Sequence, residues 1–139
     1  MRAIKYLSQI KKLDEQINRK IRTAKRWRDM AYKITVDPTK EHYNPNRNTS
    51  APYEKCIVKA DELEREVTAD IDRLVDLKYE VEAKICMIDD EMCQDILRLR
   101  YVELFLWEDV IAVVGKCRSY VFDRHSKALT MLDEILKEK

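Results

Sequence analysis

Four cysteines, two histidines and a pair of adjacent aspartates are the residues of this chain that could do covalent, metal or acid–base chemistry. Cys56, Cys86, Cys93 and Cys117 are candidates for disulfides or zinc. None of them forms a C-x-x-C pair, and His42 and His125 lie far from a zinc-finger spacing. Cys86 and Cys93 stand seven residues apart on one side of a helix. Buried, reduced thiols are the expectation for the cysteines, because free Cys behaves as a small apolar residue. Asp89-Asp90 matches an acid/base carboxylate pair only in composition, and on a charge-rich helix it reads as a solvated face. There is no Gly-rich phosphate loop, no H-E-x-x-H and no nucleophile with a placed histidine base. The sequence points to no catalysis, no cofactor and no metal.

One residue carries a geometric signal instead. Gly115 is the only glycine in 139 residues, and it lies within Ile96–Leu132, ILRLRYVELFLWEDVIAVVGKCRSYVFDRHSKALTML. Glycine enters positive φ without a Cβ clash. A lone glycine between two amphipathic segments marks a turn that requires it, which is the grammar of a helix-turn-helix. Trp107 to Val114 reads as the helix before the turn, and Arg118 to about Leu136 as the helix after it. Met92 to Tyr101 reads as a helix preceding both, with Ile96, Leu97, Leu99 and Tyr101 turned inward. Asp89-Asp90-Glu91 marks its start, since acidic residues favour a helix N-terminus.

The elements upstream are longer. A first helix is expected over residues 2–34, where Ala3, Ile10, Ile17, Ala24 and Ala31 repeat every seven residues. Tyr6, Leu13, Lys20, Trp27 and Ile34 repeat likewise, and the two rows form an a/d seam that Leu7 and Ile21 widen. Lys20 alone interrupts it. It could mark register, face a carboxylate on another helix, or snorkel to solvent. Trp27, set among Lys25, Arg26 and Arg28, fits either the seam or stacking on a nucleobase. From Thr35 to Pro52 the dipeptides DP, NP and AP, among Asn, Thr and Ser, predict a flexible loop. A second helix is expected from near Tyr53 to beyond residue 90. Ile57, Ile71, Ile85 and Met92 share one heptad position with Glu64 and Lys78, while Ala60, Val67, Leu74, Val81 and Ile88 share another. Each stripe needs a partner, so the two helices should form an antiparallel hairpin. Two helices bury little, so residues 1–90 read as an oligomerisation arm that joins two chains in a homodimer.

Composition agrees with an all-α chain: 45% hydrophobic, 38% charged, 8% aromatic and three prolines. No segment approaches the roughly 18 unbroken apolar residues of a membrane span. The opening MRAIKYLSQIKKLDEQ becomes charged too soon for a signal h-region. The expectation is a cytoplasmic protein with no membrane partner. The net charge of +1 hides an asymmetry. Residues 1–34 hold eleven Lys/Arg against three Asp/Glu, and residues 53–94 hold six against thirteen. The basic block could bind nucleic acid, or it could lie against the acidic helix.

The strings ILRLRYVE and WEDV, then Gly115, then SKAL at Ser126–Leu129, resemble the region-4 helix-turn-helix of bacterial sigma factors. Over nearly its full length the chain resembles small phage and prophage proteins of Firmicutes. The matching elements are Tyr6–Asn18, the 35–52 loop, Ile71–Val81 and Ile96–Leu129. Such proteins are sigma-region-4-like regulators of the RinA and ArpU type, which activate late phage genes. The resemblance implies a helical hairpin over 1–90 followed by a three-helix DNA-binding domain over 91–139. It implies a sequence-specific transcriptional regulator in the bacterial host cell, with double-stranded DNA as partner and host RNA polymerase as a further one.

Carried across residue by residue, the region-4 pattern places the recognition helix at Arg118 onwards, its first turns in the major groove. Arg118, Ser119, Phe122 and Asp123 would then face base edges, Arg118 through a fork matching guanine O6 and N7. Lys116, Tyr120, Arg124 and Lys127 would meet phosphates, which position a protein without reading sequence. Val121, Ala128, Leu129 and Leu132 would pack inward, and His125 would be a packing residue at the boundary.

Three features depart from that pattern. Where it has Gly-Leu-Ser or Gly-Leu-Thr, this chain has Leu104-Phe105-Leu106, without the glycine and without a cap whose loss costs about 1 kcal/mol. The small alanine before the turn aligns with Ile111, and Ala112 falls one position later. Residues 95–139 carry as many acids as bases, whereas DNA readers generally show a basic face. The apolar run Leu104–Trp107 is therefore either trihelical core or an exposed patch for a protein partner. Two rival functions follow. One is a non-DNA phage interaction protein that docks on a host complex and inhibits or redirects it. The other is a small terminase-like packaging subunit, which also joins a helix-turn-helix to oligomerising helices.

Overall fold

The computed structural model describes residues 2–36 and 50–138. All regular structure among the described residues is helical: α1 (Arg2–Val36), α2 (Ser50–Ile85), α3 (Glu91–Leu97), a π-helical segment (Arg98–Val102), α4 (Trp107–Val114) and α5 (Arg118–Lys137). No helix among the described residues is long and apolar enough to cross a membrane.

The expected loop of residues 35–52 is shorter than its composition suggests. Thr35 and Val36 still belong to α1, and Ser50, Ala51 and Pro52 open α2. A proline in the first turn of a helix gives up an N–H that has no intrahelical acceptor, so Pro52 does not delay the helix. Residues 37–49, which carry the rest of the flexible-loop expectation, lie outside the described residues.

The chain folds as two compact units, residues 1–14 with 73–139 and residues 15–72. The expected arm of residues 1–90 is thus shared between them. In the first unit Ala3, Leu7 and Ile10 of α1 join Val81 and Ile85 of α2, and Ile88, Cys93, Leu97, Ala128, Leu129 and Leu132 complete that core. The backbone N–H of Ala3 donates to the Asp133 carboxylate at 2.7 Å, tying the start of α1 to α5. Ile96, Val110 and Val121 form a second buried cluster beneath α4.

The second helix does not continue past residue 90. It ends at Ile85, where the amides of Cys86, Met87 and Ile88 turn back onto the carbonyls of Glu82, Lys84 and Ile85. Asp90 then caps α3, its carboxylate accepting from the Met92 N–H at 2.9 Å and the Cys93 N–H at 3.4 Å. A carboxylate at this position satisfies orphan donors and complements the helix dipole. A hydrophobic period that runs on through a break cannot reveal it; the aspartate does.

The second unit is held differently. The 15–36 part of α1 and the 50–72 part of α2 run in opposite directions, since Lys20 pairs with Asp70 while Arg28 pairs with Asp61 and Glu64. Its buried apolar residues are Ile17, Ala24, Ala31, Cys56, Ala60 and Val67, mostly small. Lys20, which the sequence left with three roles, faces a carboxylate: its ammonium lies 2.7 Å from Asp70, itself buried, and 3.7 Å from Glu66. Trp27 is half-buried in the seam. The seam is narrower than expected, because Ile21 and Ile71 stay exposed. All four cysteines are free, but only Cys56 and Cys93 are buried; Cys86 and Cys117 are exposed, against expectation. Cys117 sits at the mouth of the Gly115 turn, where no described element covers it.

Candidate nucleic-acid interface

The C-terminal helices are joined by two left-handed residues. After α3 the backbone widens into the π-helical segment, in which the Glu103 amide donates to the Arg98 carbonyl at 2.9 Å. The Phe105 amide donates to the Leu99 carbonyl at 2.9 Å, and between these bonds Leu104 adopts φ 61°. It is the one non-glycine residue with positive φ among the described residues. This is the position at which the region-4 pattern has glycine. A left-handed leucine costs roughly 1–2 kcal/mol of Cβ crowding. The packing of its side chain against the larger core opposes that cost.

Gly115 needs its left-handed backbone in the same way. It closes α4 with φ 74° and ψ 24°, its N–H donating to the Ile111 carbonyl at 2.9 Å. A Cβ there would meet no atom within 4 Å, so the demand for glycine comes from φ alone. Neither Leu106 nor Cys117 offers a side-chain cap, as expected for the first of them. Glu108 and Asp109 in the first turn of α4 supply the charge that the dipole favours.

α5 buries Val121, Ala128, Leu129 and Leu132, the four residues expected to pack inward. The eight residues expected to meet DNA separate into three groups. Lys116, Arg118 and Ser119 are exposed at the start of α5, with the Arg118 guanidinium 5.3 Å from the Phe122 ring centre and the Lys116 ammonium 6.0 Å from that of Tyr120. Asp123 and Lys127 are exposed but lie 3.5 Å apart as an i,i+4 pair, each offsetting the other's charge. Tyr120, Phe122 and Arg124 are half-buried and hold the fold.

Two of these side chains, expected at base-facing and phosphate-facing positions, also make contacts within the fold. The Phe122 ring sits 4.8 Å from Trp107, linking α5 to α4. Arg124 lies over the Tyr120 ring at 5.3 Å and donates to the Asp90 carboxylate at 2.9 Å, so it locks α5 onto the cap of α3. Burial works against the charge on Asp90. The amides of Cys93 and Met92, together with Arg124, outweigh it and hold the carboxyl below its ordinary value.

His125 is a satisfied packing residue. Its Nε2 shares a 2.8 Å hydrogen bond with the Tyr101 hydroxyl, its ring stacks on Tyr101 at 5.7 Å, and Trp107 meets it edge-on at 4.7 Å. Burial, with nearby Arg100, lowers its pKa, so the ring stays neutral at pH 7. Arg100 lies over the Trp107 ring at 5.0 Å and donates to the Phe105 carbonyl at 2.8 Å. The sequence marked Asp90 at a helix start but gave no sign of its pairing with Arg124, 34 residues away, or of Arg100 on the Phe105 carbonyl. Of the apolar run, Leu104, Phe105 and Trp107 are packed, while Leu106 is 67% exposed.

Compared with known proteins, the chain matches no family profile, no curated sequence and no solved structure. The resemblance to sigma region 4 is carried by ILRLRYVE, WEDV, Gly115 and SKAL alone.

Proposed function

We propose that this is a phage-encoded, sequence-specific DNA-binding regulator of transcription, with a long antiparallel helical hairpin as its dimerising arm and a region-4-type helix-turn-helix at residues 91–139. The observation that carries this reading is the left-handed turn at Gly115. It delivers α5 with Lys116, Arg118 and Ser119 on its exposed leading edge. In the major groove, Arg118 reads guanine with its planar fork, and its position over the Phe122 ring limits the orientations it must give up on binding. Ser119 reaches a neighbouring base or phosphate, and Lys116 meets the backbone. Arg124 acts indirectly, by fixing the angle of α5 through Asp90. In a two-fold dimer the two recognition helices fall about one DNA turn, roughly 34 Å, apart or a multiple of it. Host RNA polymerase is a second partner in this reading.

The test is competition between the phage's own intergenic DNA and unrelated duplex. Arg118→Ala should erase preference worth about 1–3 kcal/mol, roughly 5- to 150-fold. An unchanged preference would remove Arg118 from the reading surface. One observation favours the rival protein-docking reading: Leu106 and Val113 leave exposed apolar surface on and beside α4. If the folded wild-type chain binds no duplex at low salt but captures a host protein, and Leu106→Glu abolishes that capture, the protein-docking reading replaces this one.

A further inference from the structure

The basic block of α1 divides into two sets that the sequence could not separate. Between residues 15 and 36 there are seven cations. Lys20 and Arg28 point towards α2 and are engaged there, Lys20 by Asp70 and Glu66, Arg28 by Asp61 and Glu64. The complementarity of a basic helix lying on an acidic one accounts for those two. Arg19, Arg22, Lys25, Arg26 and Lys33 are exposed and make no ion pair among the described residues. Arg19, Arg22, Lys25 and Arg26 line one shallow surface with Thr23 and Asp29.

This row is unfavourable by itself. Arg19 and Arg22, Arg22 and Lys25, and Arg22 and Arg26 are helix neighbours three or four residues apart, where like charges repel. Only Asp29 and Glu15 lie near enough along the helix to moderate it. From Arg19 to Lys33 the row extends roughly 21 Å at 1.5 Å per residue. A ligand that relieves such repulsion carries regularly spaced negative charge over that length, as duplex nucleic acid does with one charge per about 1.7 Å. Three of the five are arginines, whose forks match phosphate oxygens. The apolar seam of this helix is turned to α2, which leaves it no face to insert into a lipid surface. Ile21, Met30 and Tyr32 are the exposed large apolar residues of this stretch; Ile21 borders that seam with Ala24 and Val67, and the surface that Arg19, Arg22, Lys25 and Arg26 line with Thr23 and Asp29 contains no aromatic or apolar side chain.

We propose that the outward face of α1 at Arg19, Arg22, Lys25, Arg26 and Lys33 is a second nucleic-acid site, binding the phosphate backbone of duplex DNA without regard to sequence. It works independently of whether α5 reads bases. Its role is to hold the chain on DNA and to add salt-dependent affinity at any site.

The experiment measures binding of the full chain to a short random-sequence duplex across a salt series. The variants are Arg19→Gln, Arg22→Gln and Arg26→Gln combined, the same three positions as Lys, and Lys116→Ala with Arg118→Ala. Each lost phosphate contact should flatten the log–log salt slope by about 0.9, so the glutamine variant should be shallower by about 2.7. The lysine variant should keep the wild-type slope. The α5 variant should keep the part of the slope that the glutamine variant loses. An unchanged slope in the glutamine variant, or polyglutamate competing as well as duplex at equal charge, overturns the proposal. If the combined glutamine variant loses helicity by circular dichroism, the single variants Arg19→Gln, Arg22→Gln and Arg26→Gln decide: a slope shallower by about 0.9 in each supports the site and an unchanged slope in all three removes it. Failure of base reading would appear separately, as an unchanged sequence preference in Arg118→Ala.

Discussion

The two compact units are built on opposite physical principles. The largest fully buried side chains, Leu7, Ile10, Ile85, Ile96, Leu97 and Leu132 among them, all belong to the unit of residues 1–14 and 73–139. The unit of residues 15–72 buries Ile17, Val67, Cys56 and three alanines, and its two helical segments are joined by Lys20–Asp70 and the Arg28 fork onto Asp61 and Glu64. One is held by hydrophobic volume, the other by a thin seam with charges beside it. That contrast suits them to different tasks. The packed unit holds α5 against α3 and α4 through a filled core. The thin unit leaves an apolar margin at Ile21 and Ile71 and a row of cations without ion pairs, which suits association with another molecule.

Substitutions can break this contrast in order of effect. Leu132→Ala removes a fully buried side chain from the large core and should cost about 3 kcal/mol in urea unfolding. Asp70→Ala leaves Lys20 facing a seam without its closest carboxylate. Because Lys20 is about one-third exposed, the cost should be discounted from the buried-pair range to about 2 kcal/mol. Hydrogen exchange should report that loss within residues 15–72 and leave the amides around Leu97 and Leu132 protected. Replacing both partners with apolar residues, Lys20→Met with Asp70→Leu, should recover most of the loss, since paired removal leaves no buried charge unmatched. Equal damage from the single and double variants would contradict an ion-paired arm.

Gly115→Ala should cost about 1 kcal/mol, purely from φ, because the added methyl meets nothing. A cost above about 3 kcal/mol would mean that the turn is packed rather than merely bent. The smallest effect is one of pH. Asp90 titrates below its ordinary 3.8 in the folded chain, so its contribution is fully present above that value and is lost as pH falls through the lower folded value. Asp90→Asn should therefore be less stable than wild type at pH 7, with the gap closing below pH 3.8. A gap that stays constant down to about pH 2 would show that the carboxylate's charge contributes nothing.

Much of this was legible in the chain. The heptads at Ala3–Ala31 and Ala60–Ile88 identified nine of the twelve buried apolar residues described between Ala3 and Ile88, because burial there follows a period that sequence displays. Gly115 marked its turn because its residue type has only one strong reason to be unique. The end of α2 at Ile85 was hidden, since its hydrophobic rows run on through the break. The roles of Phe122 and Arg124 were hidden for a related reason. A recognition-helix pattern gives positions facing outward from one helix, but Trp107 and Asp90 come from other segments and claim two of those side chains. Leu104 shows the converse. Its backbone is left-handed, with φ 61°, and no rule based on residue type would place a leucine there.

The most direct test of the central claim is fluorescence-anisotropy titration of the wild-type chain against duplex DNA from the intergenic regions beside its own gene over a salt series, with Lys116→Ala, Arg118→Ala and Ser119→Ala combined as the comparison. These three leave Arg124 and the buried residues Val121, Ala128, Leu129 and Leu132 of α5 in place, and remove the cations of Arg118 over the Phe122 ring and Lys116 over the Tyr120 ring. The DNA-reading account predicts sub-micromolar binding with a steep salt dependence in the wild type, and loss of the preference for intergenic DNA in the variant. Wild-type protein that is folded yet binds no duplex at low salt would contradict it and direct attention to the exposed Leu106 and Val113 as a surface for a host protein.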